Sequence, residues 1–206
     1  MKKILLIIAL LISGLGLSAQ STTINYGSYS LKFTVLNQEP AECEVVCSTL
    51  PTAETSIVIP STVTIEGKEY NVTSIGEDAF AMSGGNDYYY DYEENPYITS
   101  VEIPNMVTYI GDNAFAKCTS LKSVICYAEE VPMCDDDYYD IFGNCPSDMI
   151  IYVPYKSIEL YKGSYPWRNY QVLSVYSLIN TVVDYEGYSL KFTVLNQEPA
   201  ECEVVC

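Results

Sequence analysis

Short runs that alternate apolar and polar residues recur along the chain: SIVIP at 56–60, SVEIP at 100–104, SVIC at 123–126 and IIYVP at 150–154. Successive side chains of a strand point to opposite faces. This pattern sends Ile57 and Ile59, Val101 and Ile103, Val124 and Cys126, and Ile151 and Val153 inward. It leaves Ser56, Val58, Ser100, Glu102, Ser123, Ile125, Ile150 and Tyr152 outward. After each strand a turn is expected, and Gly111 and Asp112 then offer a helix start from which Phe115 and Cys118, three apart, reach the same interior. One hairpin is legible, TVTIEGKEYNV, turning at Glu66 and Gly67.

The runs belong to a repeat. VTSIGEDAF at 72–80 lies over VTYIGDNAF at 107–115, ITSV at 98 and LKSV at 121 are 23 residues apart, and the longer intervals reduce to the same 23 once three insertions are removed. A unit that short cannot bury its own apolar face and has to stack on its neighbours as a solenoid. Four parallel strands are expected in the stack, with Phe80, Phe115 and Phe142 in one interior column. A longer period also runs through the chain: YSLKFTVLNQEPAECEVVC occurs at Tyr29–Cys47 and, unchanged, at Tyr188–Cys206, an offset of 159. The second occurrence reads as the truncated start of a second module that adds no core to the first.

The pattern IPNMVTYIGDNAFAKCTSL, Ile103 to Leu121, resembles the BspA-like leucine-rich repeats of bacterial secreted and surface proteins. IIYVPYKSIELYKGSYPWRNYQVL, Ile150 to Leu173, is similar to the terminal cap of such arrays, with a last strand, a short helix at Ser157 to Lys162 stopped by Gly163, and an apolar plug at Trp167. The resemblance implies a β-rich α/β solenoid, a right-handed stack of short leucine-rich repeats with a β-hairpin lead-in and a helical cap. It also implies recognition or adhesion, with no catalytic residues and no cofactor. The expected divisions are a signal peptide at 1–19, a lead-in at 22–56, repeats with insertions at 57–149, a cap at 150–173, a linker at 174–180 and the second module start at 181–206.

The first residues place the protein outside the cytoplasm. Lys2 and Lys3 precede an apolar run from Ile4 to Ile12 and then small residues through Ala19, the layout of a secretory signal peptide. That run is too short to span a membrane, and no later segment reaches the ~18 apolar residues a span needs. The formal charge of −17 and the single arginine, Arg168, exclude binding to phosphate backbones, so nucleic acid is not an expected partner. A partner should be a neutral or basic protein or glycan. The chain has no histidine, which removes His-based triads and His-ligated zinc, and its carboxylates sit in turns without a catalytic setting. An exported hydrolase is therefore the poorest reading and a non-enzymatic binding or adhesion module the best, with a structural spacer in a tandem array as the alternative.

Two acidic tyrosine-rich insertions are candidate contact loops: GGNDYYYDYEENPY at 84–97, with Tyr88, Tyr89, Tyr90 and Tyr92, and CDDDYYD at 134–140, with Tyr138 and Tyr139. Tyrosine supplies rigid contact area at low entropic cost. The alternative for both loops is a solvated excursion, since lengthening a loop costs little. They are expected on opposite rims. Val58, Glu102, Ile125 and Tyr152 on the outward sheet face are the second candidate surface, because an exposed apolar cluster usually has a use; the alternative is that a neighbouring module or flanking segment covers it. Of the eight cysteines, Cys126 reads as a core thiol, and so does the equivalent pair Cys118 and Cys145, for which a disulfide is the alternative because stacked coils ~4.8 Å apart are within its reach. Cys43 and Cys47, four apart in a strand and so ~13 Å from each other, cannot bond.

Overall fold

The structure is a computed structural model, and it describes residues 20–83, 92–134, 140–178, 182–185, 188–197 and 200–205. The described residues begin with three antiparallel strands, β1 (Ser21–Asn25), β2 (Ser30–Gln38) and β3 (Ala41–Thr49). β4 (Thr55–Val58) opens the repeats, and β5 (Thr62–Ile65) and β6 (Lys68–Ile75) form the hairpin expected from its turn. Glu66 and Gly67 both have positive φ, 51° and 83°, the backbone that a two-residue turn between twisted strands demands. The short pair β7 (Met82–Ser83) and β8 (Tyr92–Glu93) flanks the first insertion. Then come β9 (Ile98–Ile103), β10 (Tyr109–Ile110), β11 (Ser123–Cys126), β12 (Met133–Cys134) and β13 (Ile150–Val153). One short helix, α1 (Ile158–Gly163), precedes β14 (Gln171–Ser174), and the tail forms β15 (Val182–Tyr185), β16 (Tyr188–Gln197) and β17 (Ala200–Val205).

The four expected strands lie side by side and parallel in one sheet, ordered β14, β13, β11, β9, β4. The register is the one the repeat demands, with Ile57 on Val101, Val101 on Val124 and Val124 on Ile151. β14 adds a fifth strand that the sequence pattern did not reveal, Val172 falling on Ile151. A second parallel ladder runs through β6, β10 and β12, and its first rung is β3 of the lead-in. The three repeats that begin at β4, β9 and β11 thus each contribute one strand to the first sheet and one to the second ladder.

The core fills the space between. Phe80, Phe115 and Phe142 are fully buried and stack in one column, with ring centroids 5.1 and 5.7 Å apart. Trp167 closes the column edge-on to Phe142 at 5.3 Å, and Tyr161 meets Trp167 edge-on at 5.0 Å. Each ring contributes ~1.5–3 kcal/mol by leaving water, and each ring pair ~0.5–1.5 kcal/mol more. Asn95, also fully buried, closes the first insertion onto this column: its Nδ2 donates to the Phe80 carbonyl at 3.0 Å.

The helix expected from Gly111 does not form. Asn113 and Lys117 take positive φ, both 54°, and so break any helical run across 111–118. The backbone alternates isolated turns, such as Ala116 N–H to the Asn113 carbonyl at 2.8 Å, with bonds between repeats: Phe80 N–H donates to the Ala114 carbonyl at 2.7 Å, Phe115 to Ile141 at 2.8 Å, and Lys117 to Gly143 at 2.7 Å. Phe115 and Cys118 still face the interior, both fully buried. Stacking is close because Gly111 allows it. A Cβ there would stand 2.5 Å from the Glu77 nitrogen and 2.8 Å from the Gly76 carbonyl carbon of the preceding repeat.

Candidate binding surface

The pleat of the parallel sheet sorts its outward residues into two rows. One is Ser56, Ser100, Ser123, Ile150 and Gln171; the other is Val58, Glu102, Ile125, Tyr152 and Leu173. All four predicted residues of this face, Val58, Glu102, Ile125 and Tyr152, therefore stand in a single row, extended by Leu173 from the unforeseen fifth strand. Val58 is 46% exposed, and the other members of the row are half-buried. The serine row begins with a hydrogen bond from Ser100 Oγ to Ser56 Oγ at 2.8 Å.

Beyond the C-terminal ends of the strands the row meets a groove that sequence reasoning missed. Tyr127 follows β11, and its hydroxyl lies 3.4 Å from Glu102 Oε2. Desolvation, together with the Glu102 carboxylate, pushes that hydroxyl above its ordinary value, so it stays protonated and donates. On one side of Tyr127 a groove of about 510 Å³ runs between Asn105–Thr108 and Tyr127–Met133. On the other, a recess of about 230 Å³ reaches Tyr155, Lys156 and Tyr176, and Tyr127 and Glu129 line both. Tyr155 and Tyr176 occupy the same place in consecutive repeats, two residues past the registered pair Val153 and Ser174. Their common signal was the fifth strand; without it the two tyrosines have no shared register.

The turn that carries Glu129 and Glu130 is fixed from behind. Ser157 Oγ donates to the Glu129 carbonyl at 2.6 Å and Tyr161 OH to the Ala128 carbonyl at 3.0 Å. With its proton committed there, the Tyr161 oxygen accepts from the buried Cys126 thiol at 3.2 Å. Burial raises the Tyr161 hydroxyl well above its ordinary value, the Cys126 thiol beside it adding to the effect. The turn is thus tied from behind to Ser157 and Tyr161.

The predicted loop residues Tyr88, Tyr89, Tyr90, Tyr138 and Tyr139 lie outside the described residues, as does the side chain of Tyr92. The expected placement of the two loops on opposite rims lies outside them too. Cys43, Cys47, Cys118, Cys126 and Cys145 are free thiols. Burial pushes Cys43 and Cys47 to about 11 and Cys145 to about 12, and Cys118 higher still, so these thiols are unreactive at neutral pH. Among the described residues no group of three or more Cys, Asp or Glu is arranged to hold a metal ion, and no helix is long and apolar enough to cross a membrane.

No curated protein sequence matches the chain. Among solved structures it is similar to a leucine-rich cell surface protein of Faecalibacterium prausnitzii, 30% identical over 65% of this chain and 27% of that one, with a TM-score of 0.34. It is also similar to a leucine-rich repeat protein of Bacteroides capillosus, 24% identical over 64% of this chain and 97% of the other, TM-score 0.37. A third is the pneumococcal vaccine antigen PcpA, 14% identical over 66% of this chain and 33% of that one, TM-score 0.38. The chain thus spans about a quarter of the Faecalibacterium protein's length. The family model of the BspA type leucine rich repeat region matches residues 86–197 in six copies. With more than half its length matched and its strands in the register the repeat requires, this chain belongs to the BspA-type leucine-rich-repeat family.

Proposed function

We infer that the protein is an exported, non-enzymatic recognition module: a right-handed solenoid with a β-hairpin lead-in and a short helical cap, delivered by a signal peptide at residues 1–19. Its partner is a protein that offers a basic, partly apolar segment. The observation that carries this reading is the continuity of the Val58–Leu173 row with the groove around Tyr127. Apolar and aromatic side chains there alternate with the carboxylates of Glu102, Glu129 and Glu130, and Lys156 lines the smaller recess. Tyrosine faces and carboxylates together favour Lys and Arg side chains, by cation–π attraction and by ion pairing. The net charge of −17 steers such a partner inward.

The test is a screen of the immobilised full chain against extracellular matrix proteins and glycans, with hits repeated on Tyr127→Ala and Glu129→Lys. Both substitutions should weaken binding at least about tenfold, which is about 1.4 kcal/mol, and raised salt should weaken it further. A protein ligand that binds both variants as tightly as the parent overturns the site. A glycan hit that is insensitive to salt overturns the basic partner. The spacer reading has one observation in its favour, the duplicated sheet at residues 182–205. Under that reading the screen yields nothing that the two substitutions alter.

A further inference from the structure

The tail is a structural copy as well as a sequence copy. β15, β16 and β17 pair in the order and register of β1, β2 and β3, displaced by 159: Thr23 on Lys32 becomes Val182 on Lys191, and Phe33 on Val45 becomes Phe192 on Val204. Even the irregularity recurs, between Val35 and Asn37 in the first sheet and between Val194 and Asn196 in the second. The two sheets differ in what lies beyond their last strand. β3 continues into the repeats, its Glu42, Cys43, Glu44 and Val45 registered in parallel on Asn71, Val72, Ser74 and Ile75 of β6. Gly76 N–H donates to the Val45 carbonyl at 3.0 Å and Cys47 N–H to the Ala79 carbonyl at 2.8 Å. The seat is close: a Cβ on Gly76 would come within 2.6 Å of Val46 Cγ1. β17, by contrast, has β16 as its one neighbour among the described residues.

We propose that the β17 edge is a docking strand for the β6 surface of a second copy of this chain, so that the tail of one molecule takes the place of the lead-in of the next, head to tail. At the register positions of Glu42, Cys43, Glu44 and Val45 the tail carries Glu201, Cys202, Glu203 and Val204, the same residues in the same order. A surface that accepts β3 accepts β17 by the same parallel ladder. Exchange replaces the β3 ladder by an identical one. It gives up only the exposed hydrogen bonds Gln20–Glu66 and Thr55–Ser28, where the tail has Ile179 and Gly187, so its free energy is set chiefly by tethering. The lead-in is held beside β6 through the short connection at residues 50–54, equivalent to an effective concentration on the order of 1 mM. Swapping an identical element is a low-cost route to association, and a contact that does not close on itself propagates as a chain.

The test uses the full chain, denatured and refolded under reductant so that thiols do not cross-link, with mass measured by light scattering after size separation. At ~1 mM about half the chains should be in oligomers, and at ~1 µM about one in a thousand. Cys202→Pro removes an N–H and places a ring where a central strand cannot hold one. That variant should remain monomeric at both concentrations with an unchanged Tm. Fluorescently labelled Cys202→Pro, refolded with an excess of the unsubstituted chain at ~1 mM, should nonetheless enter the oligomers, because its own β6 can still accept a tail. Monomer throughout, oligomers of Cys202→Pro alone, exclusion of the labelled variant, which would mean tail-to-tail pairing, or a lowered Tm in Cys202→Pro each overturns the proposal.

Discussion

At the residue scale, the two glycines Gly67 and Gly111 do different work. Gly67 has φ of 83° and open space around its Cβ position, so alanine there suffers only from the backbone, about 1 kcal/mol. Gly111 has ordinary φ, but a Cβ would strike the backbone of the preceding repeat at 2.5 Å. Backbone cannot rotate away as a side-chain tip can, and the cost is that of overpacking, ~1–3 kcal/mol or more. Denaturant midpoints should therefore fall further for Gly111→Ala than for Gly67→Ala, with unchanged m-values. Equal losses would mean that the repeats can slide apart to admit a methyl group. The isoleucine–glycine pair of VTSIG and VTYIG was visible in the sequence, but its reason was not, because the partner of Gly111 lies 34 positions earlier, at Glu77.

At the scale of elements, the link between α1 and the surface turn is the most consequential. Tyr161 on α1 holds the Ala128 carbonyl and receives the Cys126 thiol, both buried, while Ser157, just before the helix, holds the Glu129 carbonyl. Tyr161→Phe would keep the ring against Trp167 but remove the hydroxyl that the Ala128 carbonyl and the Cys126 thiol both bond, a loss of ~1–3 kcal/mol. The same substitution should loosen the turn. Amide exchange at residues 128–131 should quicken more than that of β11, whereas a uniform increase would indicate general destabilisation with no special tie between helix and turn. A helix near Ser157 was legible from KSIELYKG; its role was not, since nothing local to residues 157–163 points to residues 126–130.

For the molecule as a whole, the buried thiols and tyrosines set an alkaline limit. Cys43 and Cys47 are raised to about 11 and Cys145 to about 12, from an ordinary value of 9.0, by burial first. Burial also raises Cys118, Cys126, Tyr161 and Tyr170. Each group keeps its proton more tightly when folded than when unfolded, so its contribution is fully present below pH 9 and is lost as pH rises toward the folded values. Tm should be insensitive to these groups between pH 6 and 8 and should fall steadily above pH 9, by ~1.4 kcal/mol of stability per pH unit for each participating thiol. Cys43→Ala and Cys145→Ala together should make that fall shallower. A slope unaffected by their removal would assign the alkaline loss to Cys47, Cys118, Cys126 and the tyrosines.

The sequence by itself determined the period, the inward columns, the hairpin turn and the family. Each of these is written locally, as period-2 alternation, as turn chemistry at Glu66 and Gly67, or as a motif whose signal is multiplied by repetition. The column of Phe80, Phe115 and Phe142 follows from register alone once the insertions are removed. The tertiary structure alone decided the second ladder, whose strands β10 and β12 are two residues long and show no alternation. It decided against a helix after Gly111, because the Asp112 and Ala114 carbonyls pair with the preceding repeat, which leaves only isolated turns closed along the chain at Gly111, Asn113 and Phe115. It also brought Tyr127, Glu129, Tyr155 and Tyr176 around one groove. Those residues meet only across stacked repeats, and adjacency across a stack depends on which strands pair, which no single segment of the chain records.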